Sequence, residues 1–111
     1  MPTYMIQARF TPEALQGTIE EGGTARHAAV KEAVESLGGS LDAYYYSFGD
    51  YDVVGIADMP SNAAAAGFAM AVAHAGGAMG IKTTVLLAPS EVDEAVKSHP
   101  DYRAPGHVAA G

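Results

Sequence analysis

Apolar residues follow strand-like patterns in four segments of the chain. In residues 3–10 one set of alternating positions is apolar or aromatic and consists of Tyr4, Ile6, Ala8 and Phe10. This two-residue period is that of a half-buried strand. A tyrosine-rich stretch begins at Ser40, VVGIAD occupies 53–58, and the β-branched IKTTVLLA occupies 81–88. Tyrosine, valine, isoleucine and threonine favour strands. The pattern therefore predicts four strands.

Helical spacing predicts the segments between these strands. Residues 24–39 carry apolar residues at i, i+3, i+4 and i+7, which are Val30, Ala33, Val34 and Leu37. This spacing forms one face of a helix. Thr24 can cap its start, and Gly38 supplies the left-handed position after its end. Residues 61–77 predict a second helix, capped by Ser61 or Asn62 and closed by Gly76-Gly77.

Two shorter helical segments complete the prediction. Thr11-Pro12-Glu13 has the order N-cap, proline and acid, so a short helical turn should follow and end at Gly22-Gly23. Ser90 with Asp93 resembles a capping box and predicts a short last helix before an irregular tail. The order is β-α-β-β-α-β, the split pattern of the ferredoxin-like α+β fold, in which two helices cover one face of a four-stranded antiparallel sheet.

The tyrosine hairpin predicts that the uncovered face of the sheet is also apolar. With Gly49-Asp50 as a two-residue turn, Phe48 pairs with Tyr51. One face then receives Tyr46 opposite Val53, Tyr44 opposite Gly55 and Asp42 opposite Ala57, and the other receives Leu41, Ala43, Tyr45, Val54 and Ile56. A large exposed apolar patch is uncommon on a monomer. We therefore expect a homo-oligomer, with Tyr44 and Tyr46 facing the second subunit.

Composition and charge narrow the classes of function. The chain has 111 residues, no cysteine and a net charge of −7, which predicts one domain that a nucleic-acid phosphate backbone would repel. No segment reaches about 18 uninterrupted apolar residues, and the N-terminus lacks the features of a signal peptide. We expect a cytoplasmic protein that does not bind membranes, with a domain at 1–98 and an irregular tail at 99–111.

Several motifs together resemble the GYD-domain family, small bacterial proteins named for a Gly-x-Tyr-Asp motif. The resemblance covers most of residues 1–97 and rests on MPTY at the N-terminus, FGDYDVV at 48–54, the alanine-rich helix that follows, and GIKTTVLLAPSEVDEAV at 80–96. It implies a ferredoxin-like fold of the dimeric α+β barrel type and implies no established reaction. A weaker resemblance is to the effector-binding domains of Lrp/AsnC regulators, which bind small metabolites near subunit contacts.

Three residues are candidates for catalysis. His27 lies at the edge of the first apolar stripe and His74 lies on the second helix, where each is either a packed side chain or a catalyst. Asp52 follows the turn opposite Ser47, and it either fixes the hairpin by hydrogen bonds or acts as a general base beside Tyr45 and His27. The histidines lack recognised metal-ligand spacing, so we expect neither a metal nor another cofactor.

The tyrosines are the candidate ligand-binding residues. Tyr44, Tyr45, Tyr46 and Tyr51 combine a large apolar ring with a hydroxyl group. The leading hypothesis is a homo-oligomeric domain that binds or senses a small apolar or aromatic molecule. The alternatives are a cofactor-independent monooxygenase, isomerase or cyclase, and an assembly protein without a ligand. An apolar pocket would favour binding, a polar pocket with a histidine would favour the enzyme, and no pocket would favour assembly.

Overall fold

The computed structural model describes residues 1–107 and has the predicted α+β fold. Its strands are β1 (Thr3–Arg9), β2 (Ser40–Tyr46), β3 (Val53–Asp58) and β4 (Gly80–Leu86). Its helices are α1 (Pro12–Glu21), α2 (Gly23–Ser36), α3 (Asn62–His74) and α4 (Pro89–Lys97). The strands form one antiparallel sheet in the order β2-β3-β1-β4. This arrangement confirms the ferredoxin-like prediction, with α1 and α2 both inserted between β1 and β2.

The start of α1 is as predicted, but the start of α2 is not. The Thr11 hydroxyl accepts a hydrogen bond from the Ala14 N–H at 2.9 Å, as an N-cap does. Helix α1 has ten residues and is longer than the predicted turn. Gly22, at φ 88°, ends α1 and is also the N-cap of α2. The prediction that Thr24 caps α2 is therefore wrong, because α2 starts at Gly23 and Thr24 lies inside its first turn.

The capping predictions for α3 and α4 differ in outcome. The Ser61 hydroxyl accepts from the Ala64 N–H at 3.1 Å, so one of the two predicted caps is confirmed. For α4, the Glu91 carboxylate accepts from the Ala88 N–H at 2.9 Å, and the predicted box of Ser90 with Asp93 is wrong. Pro89 at the first helical position starts α4 earlier than that box requires.

The core lies between the helices and one face of the sheet, which we call the helix face. Its central residues from the sheet and the segment after β3 are Tyr4, Ala57 and Met59, and the helices contribute Val34, Ala65 and Phe68. Along α2, Val34 is buried and Val30 is half-buried, whereas Ala33 and Leu37 are exposed. The buried line of α2 therefore consists of residues four positions apart, Val30 and Val34, and is narrower than the four-residue apolar face that the sequence predicted.

The register between β2 and β3 is as predicted close to the loop and wrong beyond a bulge. Tyr46 pairs with Val53 and Tyr44 pairs with Gly55. An irregularity between Leu41 and Ala43 then places Leu41, not Asp42, opposite Ala57. A bulge adds one residue to one strand and so moves the following side chains to the other face. Leu41 consequently joins the helix face, contrary to the prediction.

The connection between β2 and β3 is a six-residue loop, not a two-residue turn. The Ser47 N–H donates to the Asp52 carbonyl at 2.9 Å, and the Gly49 N–H donates to the Tyr51 carbonyl at 2.9 Å. Phe48, not Gly49, has the left-handed backbone, with φ 50°. The Phe48 ring packs against the rings of Phe10 and Tyr46. The predicted two-residue turn would instead have paired Phe48 with Tyr51.

The opposite face of the sheet is covered by no helix of residues 1–107, and we call it the bare face. Its side chains are Thr3, Met5, Gln7, Arg9, Ala43, Tyr45, Val54, Ile56, Asp58, Lys82, Thr84 and Leu86. Tyr44 and Tyr46 lie on the helix face instead, and their expected contact with a second subunit stays a prediction. The tyrosine of the bare face is Tyr45, which is 68% exposed.

The C-terminal part of the described chain lies apart from this body. Every residue of α4 is exposed, and residues 99–107 form neither helix nor strand. Residues 108–111 of the predicted tail lie outside the described residues. In residues 1–107, no helix has the length and apolar character needed to cross a membrane.

Candidate functional site

A cavity of about 420 Å³ lies between the helix face of the sheet and helices α1, α2 and α3. Most of its wall is apolar, because it is built from the same residues that pack the core. The sheet contributes Ile6, Ala8, Leu41, Val53 and Ile81, and the helices contribute Val30, Val34, Phe68 and Val72. A concave, mainly apolar cavity with a few polar groups is the usual form of a small-molecule site.

Helix α1 forms the outer wall of this cavity. Its inner face presents Ala14, Gly17 and Thr18. The Thr11 hydroxyl, besides capping α1, donates to the Gly76 carbonyl at 2.8 Å, which ties the start of α1 to the turn after α3. At its other end α1 joins α2 through Gly22. Helix α1 packs against α2 and encloses the cavity from that side.

The charged groups of the cavity come from α1 and the start of α2. Arg26 and Glu21 form an ion pair with 3.5 Å between guanidinium nitrogen and carboxylate oxygen, and both line the cavity. Glu13 lines it near the opposite end of α1. The Thr18 hydroxyl donates to the Ala14 carbonyl at 2.9 Å. The cavity therefore has a paired charge at one end of α1 and a carboxylate at the other.

Tyr44 is the candidate tyrosine that lines the cavity. Its ring stacks on His27 with 5.0 Å between ring centroids and 10° between planes, and it meets Tyr46 edge to face at 5.3 Å. Burial, followed by the neighbouring Tyr46 hydroxyl, raises the pKa of Tyr44 well above its ordinary value, while the charge of Arg26 opposes the shift. Tyr44 is thus a neutral phenol at physiological pH.

The other candidate residues lie outside the cavity wall. His27 is exposed and covers the outer side of the Tyr44 ring, and His74 is exposed at the end of α3. The Tyr46 hydroxyl donates to the Gly23 carbonyl at 2.9 Å. Tyr45 is on the bare face, and Tyr51 belongs to the loop after β2. The structure brings His27, Tyr44 and Tyr46 together and leaves Asp52 and Tyr45 apart from them.

Sequence reasoning missed Arg26 and Glu21 as cavity residues. Arg26 precedes Val30 by four residues and Val34 by eight, so it continues the buried line of α2 toward the cavity. This helical spacing is the feature of the sequence that could have identified Arg26 as a cavity residue. The signal for Glu21 was weaker, because the residue ends a helix that the sequence predicted only as a turn.

The family model of the GYD domain matches residues 4–96 of the chain. The chain belongs to the GYD-domain family. No curated protein matches it. In this GYD domain the motif occupies Gly49 to Asp52, at the end of the sheet where β1, β2 and β3 meet.

The aspartate of the GYD motif ties the loop to the neighbouring strand. Its carboxylate accepts a hydrogen bond from the Phe10 N–H at 2.8 Å, and its own N–H donates to the Ala8 carbonyl at 2.9 Å. The Ser47 hydroxyl donates to the Tyr51 carbonyl at 2.7 Å. Asp52 therefore joins the loop to the end of β1 and to the residue that leads into α1.

Replacing Asp52 with alanine should destabilise the GYD domain by about 1.5–3 kcal/mol, the usual range for a hydrogen bond to a charged group. The Asp52→Asn variant should lose less, because its amide oxygen can still accept from the Phe10 N–H. The free energy of unfolding from chemical denaturation tests this. Asp50→Ala, in the same loop, is the control. Equal stability of Asp52→Ala and Asp50→Ala would contradict the structural role of the carboxylate.

Proposed function

We propose that this GYD domain is a homo-oligomeric small-molecule binding domain that holds an apolar or aromatic molecule between the sheet and α1. The observation that carries the proposal is the cavity of about 420 Å³. Its volume falls within the range of about 300–1,000 Å³ that is common for ligand pockets. Its wall is mainly apolar, and its few polar groups could orient a ligand.

The composition of the cavity wall favours binding over catalysis. None of its lining residues is a histidine, and Asp52 is likewise absent from the wall. The catalytic candidates His27, His74 and Asp52 therefore do not converge on one position where a substrate could react with them. Tyr44 offers a neutral hydroxyl, which can hold a polar group of a ligand without taking a proton from it. The catalytic roles of the three candidates stay predictions.

The bare face supports the homo-oligomeric part of the proposal. Met5 pairs with Ile56 across β1 and β3, and Tyr45 pairs with Val54 across β2 and β3. These four side chains lie on one face with no helix over them. Burying such a surface in a subunit contact removes apolar area from water, which favours association by about 25 cal/mol per Å² before the costs of association are subtracted.

Filling the cavity should abolish ligand binding. A Cβ added at Gly17 would meet nothing within 4 Å, and the residue lines the cavity. The Gly17→Leu side chain should therefore occupy the ligand volume without disturbing the backbone. We expect the dissociation constant for 2-naphthol, a small aromatic probe measured by fluorescence titration, to rise at least about tenfold, which corresponds to about 1.4 kcal/mol.

The matched control is Gly67→Leu in α3. Gly67 is also a helical glycine with nothing within 4 Å of an added Cβ, but it does not line the cavity. Both substitutions gain helix propensity of up to about 1 kcal/mol. A difference in probe binding between the two variants therefore reports on filling of the cavity and not on helix stability. Equal binding by the two variants would place the probe elsewhere. If the unmodified protein binds neither 2-naphthol nor a molecule retained from its host, the binding proposal fails.

A further inference from the structure

Helix α4 is an amphipathic helix whose nine residues are all exposed in the described part of the chain. Val92 and Val96, one turn apart, are 47% and 63% exposed. Glu91 and Asp93 flank this apolar stripe, while Glu94 lies on the far side, 4.0 Å from Lys97. In residues 1–107 no other helix or strand packs extensively against α4. The helix thus presents an apolar stripe with acidic borders to its surroundings.

A helix of this length is poorly stable without packing. Helices shorter than about 12–15 residues are marginal in water, and most helical stability in proteins comes from packing of an apolar face. Helix α4 has nine residues. Its capping interaction at Ala88 supplies only part of the free energy that would keep such a short helix folded. The apolar stripe is the part of α4 through which packing would stabilise it.

The bare face has the complementary chemistry. Its centre is apolar, with Met5, Val54 and Ile56, and one end carries Arg9 and Lys82. The two cations are diagonal neighbours, since Gln7 pairs with Lys82 and Arg9 pairs with Gly80. The bare face carries these two cations and one acid, Asp58 at its opposite end, whereas the whole chain has six Lys plus Arg against thirteen Asp plus Glu. The end with Arg9 and Lys82 is therefore positive in a chain that is negative as a whole. An acidic, apolar helix matches this surface.

Helix α4 does not reach the bare face of its own chain. The molecule measures 65 × 30 × 22 Å and has a radius of gyration of 18.1 Å, whereas a compact chain of this length has about 13 Å. Only Leu87 and Ala88 separate β4 from α4. Helix α4 lies clear of the sheet and is positioned to contact another molecule.

We propose that α4 of one copy packs onto the bare face of a second copy, and that the second copy returns the same contact. Val92 and Val96 lie against the apolar centre, and Glu91 and Asp93 lie toward Arg9 and Lys82. Such a reciprocal contact has two-fold symmetry, the commonest symmetry of homo-oligomers. The inference rests on the homo-oligomeric part of the proposed function and adds the element that makes the contact.

The first test compares two charge insertions on α4 in the full chain. Val92→Glu places a carboxylate in the apolar stripe, while Ser90→Glu places one on the opposite side of the same helix. The dimer dissociation constant from sedimentation equilibrium should rise at least about tenfold for Val92→Glu and change less than about twofold for Ser90→Glu. Circular dichroism should show an intact domain in both, because α4 lies outside the core.

The second test reverses the charges. Arg9→Glu combined with Lys82→Glu should weaken the dimer at least about tenfold, because acidic α4 then meets an acidic face. Adding Asp93→Lys to the same chain, which leaves the Glu91 cap of α4 in place, should lower the dissociation constant at least about threefold from that of the face-reversed chain. A chain with all three changes that associates no better than the face-reversed chain would overturn the inference.

The outcomes separate this inference from the proposed homo-oligomer. If Val92→Glu leaves the dimer as stable as Ser90→Glu does, while Tyr45→Lys dissociates it, the bare face is an interface and α4 does not cover it. If the unmodified protein is a monomer at micromolar concentration, the proposed homo-oligomer and the α4 contact both fail. Dissociation by Val92→Glu together with charge rescue supports the reciprocal contact.

Discussion

Replacing Gly39 with alanine should lower the free energy of unfolding by about 1–3 kcal/mol, the usual cost of overpacking a core. An added Cβ would lie 2.5 Å from the Asp58 carbonyl oxygen, 2.7 Å from the Met59 sulfur and 3.2 Å from a Val34 methyl carbon. Met59 and Val34 are 0% and 1% exposed, and the closest atom belongs to the backbone. No neighbour can move away without disturbing the core.

Gly49→Ala is the matched control for this substitution. Gly49, the glycine of the GYD motif, has no atom within 4 Å of an added Cβ, and its φ lies outside the left-handed region. Its replacement should change stability by less than about 0.5 kcal/mol, as at other open surface positions. Chemical denaturation of both variants gives the comparison. A loss at Gly49 as large as that at Gly39 would contradict the loop conformation.

Replacing Tyr45 with lysine should convert the proposed oligomer into single chains of 11.4 kDa. Tyr45 is largely exposed in one chain, so the substitution should not disturb folding. In a dry subunit contact the ammonium group would have no partner, and burying an unpaired charge is strongly unfavourable. Light scattering at micromolar concentration measures the mass, and circular dichroism shows whether the fold is retained.

Tyr102→Lys is the control for the change in net charge. Tyr102 lies in the C-terminal segment and is 79% exposed, away from the bare face. This variant should keep the mass of the unmodified protein. If Tyr45→Lys keeps that mass too, the bare face is not the subunit contact. If the unmodified protein already has the mass of one chain, the homo-oligomer itself is absent.

The sequence predicted the sheet well because strand periodicity is a local property. Alternation in residues 3–10 identified β1, and pairing of Tyr44 with Gly55 followed from the position of the loop. Helix ends set by one side chain, such as Thr11 and Ser61, were also predictable, because the cap is bonded within three residues. The order of elements then left few arrangements of a four-stranded sheet.

Features that depend on distant contacts were not predictable in the same way. The bulge beside Asp42 has no local residue signal, yet it moves Leu41 into the cavity wall. The loop after β2 was predicted as a two-residue turn because of Gly49. In the structure Phe48 has the left-handed backbone, and its ring packs against Phe10 and Tyr46. The cavity itself is a volume between α1, α2 and the sheet, and no single segment of sequence encodes it.

Helix α1 is held mainly at its two ends, by the Thr11 hydroxyl bond to Gly76 and by the left-handed Gly22. We expect movement of α1 away from the sheet to control how fast a molecule under it exchanges. The observed rate of association should then level off as ligand concentration rises, at the rate at which α1 opens. Thr11→Val, which removes the hydroxyl bond, should raise that plateau, and an unchanged plateau would show that the molecule enters without any opening of α1. Residence time in this domain would then depend on one hydroxyl group outside the cavity.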